Sequence, residues 1–474
     1  MNEMEKPTRV VVIPSPGFSH VASIIEFAKR IVKLPNGIHV TLLIPTIANN
    51  GSPSEASKAI LQSLPSTINY TFLPPIHNQE LPQEAPIALT AQIVVSRSLP
   101  SIRHALMSLT STSRLVAIVA DLFAIDALIL AKEMNLLSFV YCPSTAMTLS
   151  FCFFLPKLDE TVIGEFKEIS EPVRIPGCVP VPGRDLPNPV QDRNSELYRN
   201  FLQRCKQLRF ADGILVNSFR EIEPGPIREL TEEGRGYPMV YPVGPIIQNG
   251  SGNEANFDQC LTWLDNHVPN SVIYVCFGSG GTLSQDQLNE LAMGLELSGK
   301  KFLWVIRAPS ESANASYLSG NNNNGGDPLR FLPSGFLDRT KKQGLVVPLW
   351  APQAQILNHH AIGGFLTHCG WNSVLEGVMN GVPLIAWPLF AEQKMSAIFL
   401  CEDLKVALRV KANENGLVER EEVACVIRRL MEDEEYREIR RRMQSLKNVA
   451  TESLQEEGSQ NKILAQFAVH LMKN

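Results

Sequence analysis

The sequence predicts an α/β protein with two doubly wound parallel sheets in tandem. The chain has 474 residues, which is more than one hydrophobic core usually holds. Continuous apolar runs of strand length alternate with segments of helical spacing, beginning with residues 9–14 and 20–34. A second series of such units begins at Ser271, after a stretch rich in Pro, Gly, Asn and Ser. Alternating strands and helices of this kind are typical of parallel sheets covered on both faces.

The individual elements follow from the same pattern. Strands are predicted where β-branched and apolar residues run without interruption, and helices where apolar residues recur every three to four positions. In the first half, the strands are 9–14, 39–45, 115–121 and 137–143, with helices at 20–34, 124–134 and 144–154. In the second half, the strands are 271–276, 301–307, 344–350, 364–368 and 382–388.

We therefore divide the chain into two domains and two connecting pieces. The first domain is predicted at 1–245, a linker at 246–258, the second domain at 259–453, and a terminal helix at 454–474. The terminal helix is expected to pack back on the first domain.

Composition limits the partners and the compartment. The formal net charge is −5, and the basic residues are scattered, so no nucleic-acid partner is expected. The nine cysteines include no Cys-x-x-Cys pair, which indicates thiols of a reducing compartment. No secretory signal and no apolar run of about 20 residues are present, so we expect a cytoplasmic protein without a membrane partner. Nothing in the sequence demands more than a monomer.

Functional residues should follow strands, because ligands of parallel sheets lie outside the carboxyl ends of the strands. The loop 277–282 follows a strand, and its glycines bring backbone N–H groups close to an anion. Ser279 and Thr282 add hydroxyl donors to this loop. A simple strand-to-helix turn explains the same residues equally well.

A second phosphate site is predicted where the strand 364–368 runs into a helix. His368, Asn372 and Ser373 would cluster at the first helical turn, where the helix dipole favours an anion. Glu376 lies one turn further along. The alternative is a capping box, since Ser373 and Glu376 have the Ser-x-x-Glu spacing that closes a helix start without a ligand.

His20 and Asp121 form a possible catalytic pair. Both follow strands of the first sheet, so they could meet at its carboxyl edge although they are about a hundred residues apart. A carboxylate on one ring nitrogen would orient the imidazole and raise its basicity. Alternatively, His20 is a polar residue of a first helical turn and Asp121 is a helix cap.

Further polar and aromatic residues follow the later strands. Trp350 could offer a flat face to a base, although isolated tryptophans are more often core residues. Glu392 and Gln393 suit a polyol, with an exposed loop as the alternative. The sequence lacks Asp-x-Asp, His-Glu-x-x-His and Gly-x-Ser-x-Gly, which favours chemistry without a metal or a serine nucleophile.

Taken as one unit, residues 350–393 closely resemble the signature segment of plant family 1 UDP-glycosyltransferases. The resemblance extends over essentially the whole chain and is greatest to the hydroquinone, phenol and monolignol glucosyltransferase subgroup. It implies the GT-B fold, with an N-terminal acceptor-binding domain and a C-terminal UDP-sugar-binding domain facing a central cleft. It also implies inverting transfer of glucose from UDP-glucose to a small aromatic hydroxyl, without metal or cofactor.

The resemblance assigns roles to matching positions. In the donor site, Trp350 would stack on uracil, Gln353 and the Ala351 backbone would bind its edge, and Glu376 would bind the ribose. The diphosphate would lie against His368, Asn372, Ser373 and Ser279, with Thr282 in the same loop, and the sugar against Glu392 and Gln393. Gln393 and Trp371 are the residue types associated with glucose. His20 would be the general base and Asp121 its partner. We expect the acceptor to lie against an apolar set made of Phe123, Met147, Phe151, Phe154 and Phe390.

The chain departs from the family pattern around the base. Ser19 stands where the family has a glycine before the histidine, and Ser23 where it has a proline after it. Two other functions remain open from the residues alone. A non-catalytic UDP-sugar-binding protein would need only the donor residues. A nucleotide-dependent oxidoreductase would need a Gly-x-Gly-x-x-Gly turn after the first strand, which is absent.

Overall fold

The chain forms two compact units in the computed structural model, which describes residues 6–35, 37–48, 60–82, 85–248, 254–318, 326–433 and 437–472. Unit 1 comprises Met1–Arg184, Pro189–Ile247 and Glu452–Asn474, and unit 2 comprises Asp185–Asn188 and Gln248–Thr451. Residues 249–253 of the predicted linker and 473–474 of the predicted terminal helix lie outside the described residues. The assignment of residues 185–188 to unit 2 was not anticipated from the sequence.

The described part of unit 1 is organised around a seven-stranded parallel sheet with the strand order β4-β2-β1-β6-β7-β8-β9. Its central strands are almost completely buried, which explains why they appear in the sequence as continuous apolar runs. The strands are β1 (Thr8–Ile13), β2 (His39–Ile44), β4 (Ile68–Phe72), β6 (Arg114–Asp121), β7 (Leu137–Cys142), β8 (Gly213–Val216) and β9 (Met239–Pro242). A small parallel pair consists of β3 (Ile47–Ala48) and β5 (Ile76–His77).

Helices cover both faces of this sheet. They are α1 (Phe18–Ile31), α2 (Ile87–Thr112), α3 (Leu128–Glu133), α4 (Ala146–Thr161), α5 (Glu196–Gln207), α6 (Pro224–Thr231) and, from the end of the chain, α15 (Ser459–Met472). In α15, the ring of Phe467 meets Phe139 edge-on with 5.0 Å between centroids. His470 Nδ1 lies 2.8 Å from the hydroxyl of Tyr241. The last helix therefore completes a core made by β1, β2, β6, β7 and α1.

Unit 2 contains a six-stranded parallel sheet in the order β12-β11-β10-β13-β14-β15. The strands are β10 (Val272–Cys276), β11 (Lys301–Ile306), β12 (Gly344–Pro348), β13 (Ile362–Thr367), β14 (Leu384–Ala386) and β15 (Ala407–Arg409). The helices are α7 (Glu254–Asp265), α8 (Gln285–Ser298), α9 (Phe336–Thr340), α10 (Gln353–Asn358), α11 (Trp371–Asn380), α12 (Gln393–Ile398), α13 (Arg420–Glu432) and α14 (Arg437–Ser453). One π-helical turn, Phe399–Asp403, follows α12, and short 3-10 turns lie in the connections of both units.

This architecture confirms the prediction of two doubly wound parallel-sheet domains. Because all strands within each main sheet run in one direction, the loops that follow them gather at one edge of that sheet. Among the described residues, no helix combines the length and apolar character that crossing a bilayer requires.

Candidate active site

In unit 1, the structure brings His20 and Asp121 together. His20 lies in the first turn of α1 and Asp121 ends β6, the strand next to β1. His20 Nδ1 is 2.8 Å from Asp121 Oδ2. The Asp121 side chain is fully buried, whereas that of His20 is 17% exposed. The pair therefore has the form of an imidazole that is oriented by a buried carboxylate and keeps part of its surface exposed.

Asp121 is held on its other side by its own chain. Its Oδ1 accepts a hydrogen bond of 2.9 Å from the backbone N–H of Phe123, which caps the short helix Leu122–Ala127. The ring of Phe123 stacks on the His20 imidazole, with 5.0 Å between centroids and 25° between planes. Asp121 is thus both a helix cap and the partner of His20, so the two interpretations of this residue hold together.

The predicted acceptor residues differ in exposure. Phe123 and Phe154 are partly exposed, but Met147 and Phe151 of α4 are 1% and 0% exposed and pack inside the unit. Phe390 belongs to unit 2, where its ring centroid lies 6.4 Å from that of His368. Of these predicted acceptor residues, Phe123 contacts His20 directly, through the ring stacking described above.

In unit 2, His368 is enclosed between two glycines. A Cβ atom on Gly278, in the loop after β10, would lie 2.5 Å from the His368 ring, and one on Gly370 would lie 2.3 Å from it. Only glycine fits at these positions while the imidazole keeps its place. The glycine loop and the strand-to-helix turn after β13, predicted separately, thus form one site around His368.

The His368 imidazole is neutral and carries an unused nitrogen. Burial, and then the positive charge of Arg307, lower the pKa of His368 to about 4. Its Nδ1 is buried without a hydrogen-bond partner among the described residues. An unpaired polar atom at the start of α11, where the helix dipole is positive, indicates a place for an anionic ligand.

The capping-box interpretation of Ser373 and Glu376 is wrong. The helix α11 begins at Trp371, and its N-cap is Gly370, which makes no side-chain cap. Gln353 Nε2, at the start of α10, instead donates to Ser373 Oγ at 3.0 Å and to Glu376 Oε2 at 2.5 Å. These three side chains form a polar network that links α10 to α11, and this pairing was not visible in the sequence.

Glu376 is an unusually basic carboxylate. It is 6% exposed, and burial raises its pKa to about 7, against a smaller lowering by the hydrogen bond from Gln353. No cation pairs with it among the described ion pairs of the chain. Buried carboxylates with a raised pKa are typical of functional sites, where a ligand can supply hydrogen bonds to the carboxylate oxygens.

The aromatic residues at this edge have different environments. Trp350 is partly exposed and follows Leu349, whose φ of 67° turns the chain sharply at the end of β12. Ala351 is nearly buried beside it. Trp371 is 2% exposed and packs near Phe399, with 6.3 Å between ring centroids. Trp350 can therefore offer a ring face to a ligand, whereas the Trp371 side chain serves mainly as part of the core.

Gln393 fixes the loop that carries Glu392. Its Oε1 accepts hydrogen bonds from the backbone N–H groups of Leu389 and Phe390, at 2.9 and 3.0 Å. The carbonyl of Ala391 accepts a hydrogen bond of 2.9 Å from the N–H of Asn188. Residues 185–188 are thus part of this loop's support. With its oxygen used, Gln393 retains amide hydrogens that can be donated to a ligand.

Ser279 and Thr282 occupy different positions in the glycine loop. Ser279 is partly exposed, whereas Thr282 is 4% exposed. The Thr282 hydroxyl donates to the carbonyl of Ser312 at 2.6 Å. In this arrangement Thr282 shapes the loop, and Ser279 has the more accessible hydroxyl.

Arg307 is a cation near this site that sequence reasoning missed. It follows β11 directly and lines the same cavity as Cys276, Gly278 and Thr282. Burial lowers its pKa, and its charge in turn lowers the pKa of His368. A polar residue directly after a buried apolar strand is the signal that could have identified it. Among the described residues, no cluster of three or more His, Cys, Asp or Glu side chains could hold a metal ion.

The enclosure of His368 gives a direct test of the site. We expect Gly278→Ala to weaken binding of UDP, the ligand that the resemblance implies, by roughly tenfold or more, because the new methyl group displaces the imidazole. The matched control is Gly299→Ala. Both glycines have positive φ, 74° and 68°, but a Cβ on Gly299 meets nothing within 4 Å. The control should lose about 1 kcal/mol of stability and keep its UDP affinity in calorimetry. Equal UDP affinities of the two variants would contradict this account of His368.

Comparison with known proteins identifies the family of the chain. Residues 259–450 match the family model described as UDP-glucoronosyl and UDP-glucosyl transferase. A hydroquinone glucosyltransferase of Rauvolfia serpentina is 47% identical over 466 residues, which cover 98% of each chain. The solved structure of a Polygonum tinctorium UDP-glucosyltransferase capable of glucosylating indoxyl, in complex with 3,4-dichloroaniline, is 46% identical with a TM-score of 0.90, covering 99% of each chain. Phytolacca americana UGT2 with UDP-2fluoro-glucose and pterostilbene is 45% identical with a TM-score of 0.88, covering 99% and 100%.

The fold is that of the GT-B enzymes that use a UDP-sugar. The chain belongs to the UDP-glucuronosyl and UDP-glucosyl transferase family, and within it to plant family 1. It is a UDP-glucosyltransferase, as its resemblance implied.

Proposed function

We propose that this enzyme transfers glucose from UDP-glucose to a hydroxyl of a small aromatic acceptor, with inversion, to give a β-glucoside. The acceptor class comprises phenols, hydroquinones, monolignols and hydroxyindoles such as indoxyl. Support for it comes from the relatives, one named for hydroquinone and one described as glucosylating indoxyl. The catalytic part rests on the hydrogen bond between His20 and the buried Asp121.

In this proposal His20 is the general base. Asp121 binds Nδ1, so the tautomer with hydrogen on Nδ1 presents Nε2 as the proton acceptor. The acceptor O–H gives its proton to Nε2, and its oxygen forms a bond to C1 of glucose. The bond between C1 and the diphosphate oxygen breaks, and its electron pair leaves with UDP. Phe123, stacked on the imidazole, offers an apolar face to a flat acceptor.

The donor residues have separate tasks. Trp350 stacks on uracil, with Gln353 and the Ala351 backbone at its edge, and Glu376 accepts hydrogen bonds from the ribose hydroxyls. Ser279, His368, Asn372 and Ser373 bind the diphosphate at the start of α11. Glu392 and the amide of Gln393 bind the glucose hydroxyls, and Trp371 is the residue type that the resemblance associates with glucose. The Gln353 network supports this scheme because it joins Ser373 and Glu376 through one side chain.

The leaving UDP carries negative charge that must be stabilised. We propose that the positive end of α11, the His368 N–H and the charge of Arg307 do this without a metal ion. Preorganised donors of this kind stabilise a developing charge more than water does, because they need no reorientation.

We further propose a cytoplasmic monomer without nucleic-acid or membrane partners. None of the nine cysteines, all of which the structure describes, forms a disulfide, and six are fully or nearly buried, which suits a reducing compartment. The scattered charge and the net charge of −5 support the absence of a nucleic-acid partner.

The test is acceptor-dependent release of UDP. We expect purified enzyme with UDP-glucose to release UDP well above background when phenol or hydroquinone is added. Anisole is the matched control, because it has the same ring with the hydroxyl hydrogen replaced by methyl, and it should release none. If UDP binds but neither phenol nor hydroquinone raises its release, the proposal that small aromatic hydroxyls are the acceptors is wrong.

A further inference from the structure

A second hydrogen bond joins α1 to the sheet, one turn beyond His20. Ser23 Oγ lies 2.7 Å from the hydroxyl oxygen of Tyr141 in β7. Tyr141 is the direct cross-strand partner of Asp121 in β6. His20 and Ser23, three residues apart on one helix, thus contact two residues that are paired across neighbouring strands. The two bonds hold the start of α1 against one level of the sheet.

The environment of this second bond keeps it intact. Ser23 is 3% exposed and Tyr141 is 0% exposed, so neither hydroxyl exchanges its partner for water. Burial raises the pKa of Tyr141 well above its usual range, which keeps the phenol protonated as a donor. Its hydroxyl also lies 3.3 Å from the backbone carbonyl of Ser23. One turn further, Phe27 stacks on the Tyr141 ring at 5.3 Å.

The helix needs such a fixed point. The N-cap of α1 is Gly17, at φ 124°, and no side chain caps the first turn. Because the N-cap supplies no such bond, the rotation of α1 about its axis, and with it the direction of the His20 ring, depends on the contacts of the helix with the sheet, and the bond of Ser23 is one of these.

We propose that Ser23 and Tyr141 are positioning residues for the catalytic base. They act through α1 by fixing its rotation, so that the second ring nitrogen of His20 faces the acceptor hydroxyl. This proposal rests on the role of His20 in the proposed function. Small misplacements of a base are costly, since proton transfer needs an approach of about 3 Å.

The test uses Ser23→Ala and Tyr141→Phe, singly and together, with Ser23→Thr as the variant that retains the hydroxyl. We expect each single variant to lower kcat about tenfold with a weakly acidic alcohol, and much less with an acidic phenol. KM for UDP-glucose should stay within about twofold, since the donor residues lie in unit 2. The double variant should be no worse than either single one, because both remove the same bond. Ser23→Thr should recover most of the rate.

The control is Ser98→Ala, a serine that is 2% exposed in α2 of the same unit and bonds only its own helix at Val94. It should change kcat by less than twofold. Unchanged kcat in Ser23→Ala with lowered thermal stability would show a purely structural bond and overturn the proposal, as would independent, multiplying losses in the double variant. If Tyr141→Phe does not fold, Ser23→Ala and Ser23→Thr alone decide. Failure of the base itself is recognised separately, by an active His20→Ala enzyme.

Discussion

Replacing His20 by alanine should lower kcat for transfer to a weakly acidic alcohol by about 10²- to 10⁴-fold, the contribution typical of a positioned general base. The loss should be smaller for an acidic phenol, which gives up its proton more readily. Binding of UDP should be unchanged, because the proposed donor residues all lie in unit 2 and His20 lies in unit 1. Initial rates with two acceptors of different acidity, together with calorimetry of UDP, measure both effects.

The matched control for this variant is His104→Ala. His104 is an exposed histidine on α2 of the same unit, so its loss should leave the rate and the thermal stability unchanged. A His20→Ala enzyme with undiminished turnover of the alcohol would remove His20 from the mechanism. A loss of the same size for every acceptor, accompanied by a lower melting temperature, would instead point to damage to the fold of unit 1.

Replacing Glu376 by glutamine should make the enzyme more stable and lower its affinity for UDP. Burial raises the pKa of Glu376 from 4.5 to about 7, so the folded chain binds more protons than the unfolded chain within this window. Stability therefore falls as pH rises from 4.5 to 7, by about 3 kcal/mol at 1.36 kcal/mol per pKa unit. Glutamine has nearly the same shape and carries no charge, so it avoids this cost. Calorimetry of the ligand-free variant should show a gain at pH 8 that disappears near pH 4.5.

The affinity of the same variant should change in the opposite direction. A carboxylate that accepts ribose hydroxyls is a charged acceptor, and such hydrogen bonds contribute about 1.5–3 kcal/mol. We expect UDP affinity at pH 8 to fall by roughly tenfold or more. Glu421→Gln, at an exposed position of α13, should alter neither quantity. A variant that is less stable at pH 8, or that binds UDP as the wild type does, would contradict the assignment of Glu376.

The sequence supported the fold because both sheets are parallel and buried. Such strands appear as continuous apolar runs, and helices necessarily alternate with them. The same topology explains why His20 and Asp121 could be paired in advance, since each follows a strand of one sheet and their strands are neighbours. Periodicity indicates where parallel strands end, and therefore which residues lie at the carboxyl edge of a sheet.

Contacts between particular side chains along that edge could not be derived in the same way. Nothing in the spacing shows that Gln353 contacts Glu376 or that Ser23 contacts Tyr141, because these pairs depend on helix rotation and on strand register. The roles of the donor residues came from the joint pattern of residues 350–393, and they stay proposals until tested. The sequence also does not show which apolar side chains are buried. It predicts Met147 and Phe151 as part of an acceptor surface, but their side chains lie inside unit 1.

The position of α15 has a consequence for how the chain folds during synthesis. The core of unit 1 is closed by Phe467 and its neighbours, yet residues 248–451, nearly all of unit 2, leave the ribosome before that helix does. Until then, the faces of Phe139 and Tyr241 that meet Phe467 lack their cover. The core of unit 1 therefore stays incompletely packed until α15 has been synthesised. Unit 2, which is almost continuous in sequence, can complete the packing of its core while unit 1 is still incompletely packed.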